Sequence, residues 1–144
     1  MTYLDTSALV KNYFQEPGTR FVRQILAGPG PSGTSKIAYA EVCATFARKR
    51  RESPRDHRTH LRGFQSFQED WKLLIIVELG DELLPLVRNL TGRYPLRGAD
   101  AIHLASALWL QRALNDEVTF VAADTHLLSA AYGERLRVVN PEKE

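Results

Sequence analysis

The sequence predicts an α/β domain in three layers, with a short, mainly parallel sheet held between helices. Three observations lead there. Short apolar runs such as "MTYL", "KLLIIVEL" and "VTFVAA" alternate with longer segments whose apolar residues recur at helical spacing. The run at 72–79 is rich in aliphatic and β-branched residues, the pattern of a strand buried on both faces. The 144 residues are 44% apolar, enough to bury one core, and no repeat, low-complexity tract or linker divides them. A single domain over residues 1–144 is expected.

The elements follow in order. Met1–Leu4 reads as the first strand, followed by a helix from Thr6 or Ser7 to about Phe14. Pro17 suits the first turn of a second helix, whose Phe21, Val22, Ile25 and Leu26 follow helical spacing. "GPGPSG" at 28–33 cannot continue a helix and is expected as a loop. A short strand around Thr34–Lys36 then leads into a helix over Ile37–Arg51, which Pro54 ends, and a more polar helix covers Arg55–Asp70. After the strand at 72–79, Asp81–Leu90 is helical and "TGRYPLRG" at 91–98 a loop. Ala99–Leu114 is a strong helix with Ile102, Ala105, Leu108 and Trp109 on one stripe. A strand at 118–123, a short helix over Thr125–Tyr132 and a strand at Leu136–Val139 complete the order.

Composition narrows the function. With 19 Lys+Arg and 17 Asp+Glu the net charge is +2, so any surface that attracts nucleic acid must be local. Cys43 is the only cysteine, which excludes an intrachain disulfide; within the apolar run Ile37–Ala47 it reads as a small buried filler. No basic segment followed by an apolar one opens the sequence, and "LLIIV" at 73–77 is far too short to span a bilayer. A cytoplasmic protein without membrane contact is expected.

Four carboxylates stand where parallel sheets build their sites, beyond the carboxyl ends of strands. Asp5 ends the first strand, Asp124 ends "VTFVAA", and Asp100 opens the "DAIHLASALWL" helix. Each can be read as a helix N-cap, worth about 1 kcal/mol, and a cap occupies only one carboxylate oxygen. Glu41 is the single acid within Ile37–Ala47; it either reaches the rim or points into a polar pocket, because burial without a partner costs several kcal/mol. If the four converge, repulsion is severe: one pair at about 4 Å costs ~4 kcal/mol at an effective dielectric of about 20. The Lys and Arg residues adjacent in sequence are too few to neutralise all four, whereas a hard divalent cation, Mg²⁺ or Mn²⁺, would.

"LDTSALV" at the N-terminus, the isolated Glu41, "LRGADAIHLASAL" at 96–108 and "FVAADTHLLSAA" at 120–131 resemble the PIN-domain ribonucleases, and most of all the VapC-type toxins of bacterial toxin–antitoxin pairs. The resemblance runs from Thr2 to Val139 in the family's order and spacing. It implies a PIN-like fold and places Asp5, Glu41, Asp100 and Asp124 in an acidic metal site for Mg²⁺, with Mn²⁺ as substitute. Asp5 and Asp100 are then direct ligands, and Glu41 and Asp124 bind through water or a second ion. Ser7, with Thr6 beside it, supports the first carboxylate. One departure is Ala122, where many relatives carry Thr or Ser. The resemblance further implies an RNA substrate cut by in-line attack to leave a 5′-phosphate and a 3′-hydroxyl, a cognate antitoxin as partner, and a homodimer. Leu9, Tyr13 and Phe14 are candidates for that partner or for the core.

RNA also needs cations. The stretch 48–62 holds Arg48, Lys49, Arg50, Arg51, Arg55, Arg58 and Arg62 against only Glu52 and Asp56. Arg48, Arg50 and Arg51, with Arg93 and Arg97 just before Asp100, are the candidate RNA contacts, although such a run also suits a solvated helix face. None of the four histidines is expected to bind metal. His57 and His60 lack further ligands for a zinc site, His103 reads as packed against the strand ends, and His126 as surface. Rival readings are a PIN-family housekeeping RNA-processing nuclease, a non-catalytic PIN-like RNA-binding module, and an aspartyl-phosphate phosphatase. The last usually needs a second acid two residues after the first, where Ser7 stands.

Overall fold

In a computed structural model that describes residues 1–144, five strands form one sheet. They are β1 (Thr2–Leu4), β2 (Ser32–Ser35), β3 (Ile75–Val77), β4 (Thr119–Val121) and β5 (Arg137–Val139), arranged β3-β2-β1-β4-β5. Every neighbouring pair is parallel, with Thr2 of the central strand opposite both Ser32 and Thr119. Seven helices connect them: α1 (Thr6–Leu9), α2 (Thr19–Ala27), α3 (Ile37–Glu52), α4 (His57–Trp71), α5 (Leu84–Arg93), α6 (Gly98–Leu114) and α7 (Thr125–Gly133). The predicted three-layer α/β/α architecture is the observed one.

The strands build two cores because successive side chains face opposite sides of a sheet. Tyr3 and Phe120 join Leu104, Leu108 and Leu127 under α5, α6 and α7. Leu4 and Val121 join Val22, Val42, Phe46 and Phe67 on the other face. Leu9 is fully buried in this second core and is no partner contact, while Tyr13 and Phe14 lie half-buried against Phe46.

Several local expectations change. The strand at 72–79 shortens to Ile75–Val77 and lies at the sheet edge, so Leu73, Ile75 and Leu79 are exposed rather than buried on both faces. Helix α6 is enclosed on nearly all sides, with Ala101, Leu104, Ala105, Ser106, Ala107, Leu108 and Leu110 buried, and Ile102 and Trp109 at its margin; small residues let it pack between sheet and helices. The glycine-rich loop gives up Ser32 and Gly33 to β2, where a side chain on Gly33 would meet the Ile75 carbonyl at 2.8 Å. Helix α5 continues through Arg93, which shortens the 91–98 loop. Cys43 is half-buried on the wall of an apolar cavity between α3 and α4 that also touches Phe46, His60 and Phe64.

Pro17 precedes its helix instead of sitting in the first turn. Helix α2 starts at Thr19, and Gly18 caps it in the left-handed region at φ +88°. That conformation lets the loop press on Pro141, whose backbone would stand 2.8 Å from any Cβ at position 18. Nearby, the buried Lys11 donates to Glu16 at 3.2 Å and Glu142 at 2.7 Å, which ties the turn after α1 to the end of the chain. Gly18→Ala meets both the left-handed backbone and the contact with Pro141. It is expected to lower the unfolding free energy by roughly 1–3 kcal/mol in urea titration, and an unchanged midpoint would show that this contact does not anchor the chain end.

Candidate active site

All five strands point the same way, so their carboxyl ends open on one side. Asp5 directly follows central β1, Glu41 lies in the second turn of the helix after β2, and Asp124 closes the turn after β4. Asp100 lies in the first turn of α6, the helix that runs back to the start of β4.

Asp5 is buried, with 5% of its surface exposed. It caps α1: Oδ1 accepts from the Ala8 amide at 2.9 Å and from the Ser7 hydroxyl at 2.7 Å, and Ser7 Oγ lies 2.9 Å from Oδ2. Ser7 Oγ also accepts from the Ala123 amide at 2.9 Å, joining the ends of β1 and β4. Ala122 itself is fully buried in the core, so Ser7 supplies the polar contact to this strand end. Burial pushes the Asp5 carboxyl from its ordinary 3.8 up to about 6. Glu41 adds repulsion, while the His103 ring, Ser7 and Ala8 pull the other way.

Glu41 is half-buried and points into a polar pocket rather than to open solvent. Its Oε1 accepts from Thr6 Oγ1 and from His103 Nε2, both at 2.7 Å. Burial alone would raise this carboxyl, but the hydrogen bonds from His103 and Thr6 outweigh it and hold Glu41 below the usual range. His103 is 2% exposed and its Nδ1 lies 2.9 Å from the Tyr3 hydroxyl. It packs against β1 as expected, and it also touches the site, which the sequence reading missed. The available signal was its spacing: one helical turn after Asp100 places both on one side of α6.

Asp100 does not cap its helix. Arg97 occupies the cap position of α6, and its Nε donates to Asp100 Oδ2 at 3.1 Å. The arginine is raised by that bond, and further by the fields of Asp124 and Glu41. Asp124 is exposed and caps α7, accepting from the Leu127 amide at 2.9 Å. Arg97 therefore offsets part of the acidic charge and His103 binds Glu41, though both lie far from Asp5 and Glu41 in sequence. Arg93 is bound to Glu134. Arg48, Arg50 and Arg51 are exposed on the last turns of α3, and only Arg48 has a carboxylate near it, Glu52 at 3.8 Å.

The acids share one end of the sheet but do not close into a ligand cage: no three His, Cys, Asp or Glu side chains stand as a ready-made metal group. Their donor chemistry nevertheless fits a hard divalent cation. One oxygen each of Glu41, Asp100 and Asp124 is held by the protein, and the other accepts nothing from it. Asp5 adds a buried negative charge that its neighbours do not fully offset.

The raised Asp5 carboxyl has a thermodynamic consequence. Its folded pKa exceeds its unfolded one, so its contribution is fully present below about pH 4 and is lost as pH rises through about 6. Two pH units correspond to about 3 kcal/mol. Without divalent cations, Asp5→Asn is expected to be more stable than the wild type at pH 7 by about 1–3 kcal/mol and to flatten the decline between pH 4 and 7. Urea titrations across that range check this, and an equally steep decline in the variant would contradict it.

Comparison with known proteins agrees with this architecture. The model of the PIN domain family matches residues 2–134. Ribonuclease VapC49 of Mycobacterium tuberculosis (strain ATCC 25618 / H37Rv) is 31% identical over 139 residues, covering 96% of this chain and 94% of the relative. Ribonuclease VapC47 of Mycobacterium tuberculosis (strain CDC 1551 / Oshkosh) is 32% identical over 133 residues, covering 90% and 88%. Among solved structures, FitAB bound to an IR36 DNA fragment superposes with a TM-score of 0.69 at 20% identity, covering 99% of this chain and 96% of that one. A toxin–antitoxin complex from Klebsiella pneumoniae gives 0.63 at 20% identity, covering 98% of both chains. With its sheet order, its acidic strand ends and these full-length matches, the chain belongs to the PIN-domain family, among the VapC ribonucleases.

Proposed function

We propose that the protein is a Mg²⁺- or Mn²⁺-dependent endoribonuclease and the toxin of a toxin–antitoxin pair. The observation that carries this reading is the buried Asp5 carboxylate, fixed by Ser7 and Ala8 where Glu41, Asp100 and Asp124 share one rim of the sheet. Asp5 and Asp100 would hold the cation, with Glu41 and Asp124 reaching it through water or a second ion. Bound there, such an ion would lower the pKa of a water and screen phosphate charge. Thr6 and His103 keep Glu41 a carboxylate, suited to accept a proton from the attacking water. Arg97 orients Asp100 and leaves its exposed guanidinium near the rim for a phosphate oxygen. In-line attack then leaves a 5′-phosphate and a 3′-hydroxyl.

The fold neighbours from Klebsiella pneumoniae and from FitAB, described as a toxin–antitoxin complex and a DNA-bound complex, support an antitoxin partner for this chain too. We place the protein in the cytoplasm as a homodimer, each protomer a single domain over residues 1–144; no helix is long and apolar enough to cross a membrane. A second reading, an RNA-binding module without catalysis, is favoured by one observation: the acids are not preassembled, and two are already engaged by Arg97 and His103.

Cleavage separates the two. RNA incubated with Mg²⁺ or Mn²⁺ is expected to be cut, chelation to stop it, and Asp5→Asn or Asp100→Asn to slow it by roughly two orders of magnitude or more. RNA that stays intact with metal while still binding the protein selects the second reading. For Asp5→Asn the two effects are opposed, lost turnover with gained stability, which a misfolded variant cannot produce. Binding also tests the basic turn: Arg50→Ala and Arg51→Ala are each expected to reduce the slope of log K against log salt by about 0.7 for single-stranded RNA. An unchanged slope removes these residues from the RNA path.

A further inference from the structure

Three groups from distant parts of the chain form a hydrogen-bonded line beneath the site: the Tyr3 hydroxyl, the His103 ring and Glu41. We propose that Tyr3 fixes His103 in the tautomer with its proton on Nε2, and that His103 and Thr6 thereby clamp Oε1 of Glu41, leaving Oε2 as the oxygen it offers to the site. His103 and Tyr3 are then positioning residues, and their role rests on the reading of Glu41 as part of the active site.

The geometry admits few arrangements. Nε2 lies 2.7 Å from Glu41 Oε1, a distance at which two acceptors would repel, so with a carboxylate there Nε2 must donate. Thr6 Oγ1 is 3.1 Å from the same nitrogen and donates to the same carboxylate oxygen at 2.7 Å; the hydroxyl can receive from Nε2–H while giving to Oε1. At the other side of the ring, Nδ1 meets Tyr3 Oη at 2.9 Å in a fully buried contact. With the ring's single proton on Nε2, Nδ1 is left as an acceptor, and the Tyr3 hydroxyl is the donor within reach of it. The phenol ring has no freedom to withdraw, stacked 5.5 Å from Phe120 at 6° and edge-on to His103 at 6.1 Å. Buried imidazoles that orient a carboxylate are set in this way by the partner of their second nitrogen.

Long-range proton–nitrogen spectra of ¹⁵N-labelled protein in chelator read the tautomer directly, whether or not the protein cuts RNA. His103, assigned by its loss in His103→Gln, is expected to show a pyridine-like Nδ1 and a pyrrole-like Nε2. Tyr3→Phe is expected to shift that pair toward a tautomer mixture. A wild-type ring protonated on Nδ1, or a Tyr3→Phe spectrum unchanged from the wild type, overturns the proposal. The clamp itself is read by Mn²⁺ binding, followed by electron paramagnetic resonance. His103→Leu is expected to weaken binding about tenfold or more, and His103→Gln, whose amide still donates to Oε1, to recover part of the loss. Thr6→Val removes the second donor without touching the core and is expected to weaken binding several-fold, which keeps the test decisive if His103→Leu does not fold. Wild-type affinity in both His103→Leu and Thr6→Val overturns the clamp. A wild type that binds no Mn²⁺ overturns the metal reading and the clamp's purpose, while the tautomer stands or falls on the spectrum alone.

Discussion

The structure turns on one unfavourable placement, a negative charge buried at the end of the central strand. Asp5 lies where β1 is flanked by β2 and β4, so the sheet removes solvent from its backbone side while α1 begins on its other side. The Ala8 amide and the Ser7 hydroxyl return part of the lost hydration, yet the carboxyl still rests near 6. A cap alone would not require this. Helix caps on exposed turns are solvated, as Asp124 is. Ser7 is the economical part of the arrangement, since one hydroxyl both holds Asp5 and receives the Ala123 amide, fixing the spacing of two strand ends.

How far the sequence exposed this depends on whether a feature is local. Strand and helix order, the parallel sheet and the position of Asp5 at a strand end follow from apolar runs and their punctuation, which are local signals. Ser7 under Asp5 was implied by the family resemblance, and the structure shows its hydroxyl on Asp5. Edge and centre were not legible, because "KLLIIVEL" reads identically in either place and only the order of strands in the sheet makes it an edge. Lys11 offers a similar case. Its burial depends on Glu142, 131 positions away, and no pattern around it predicts a cation below the surface. The burial of α6 on nearly every side was hidden by its small residues, which give periodicity little contrast.

His103 sits between these cases. Its spacing from Asp100 was visible, but its meaning depended on two partners, Tyr3 and Glu41, one 100 and the other 62 positions away. A histidine in an apolar helix is more often a satisfied core residue, and this one is satisfied. The structure adds that one of the groups satisfying it is itself part of the acidic rim, so packing and positioning are the same contact.

The balance of charge at the rim also determines what can approach it. Arg97 is exposed and spends its bond on Asp100, and His103 holds one oxygen of Glu41. Asp5 and Asp124 have no basic side chain bound to them, so the rim remains net acidic and would repel a polyanion. An RNA backbone can come near only if the repulsion is offset twice, within the rim by a cation small enough to sit among carboxylate oxygens, and beside it by protein cations that hold neighbouring phosphates. The chain has a candidate for the second: α3 carries Glu41 near its start and Arg48, Lys49, Arg50 and Arg51 near its end. On the proposed reading, one helix would join the acid at the reaction to the basic turn beside the strand. Between Glu41 and Arg50 the helix rises about 13 Å, the length of two to three extended nucleotides, so on the proposed reading a phosphate at the rim would leave the next few within reach of the arginines.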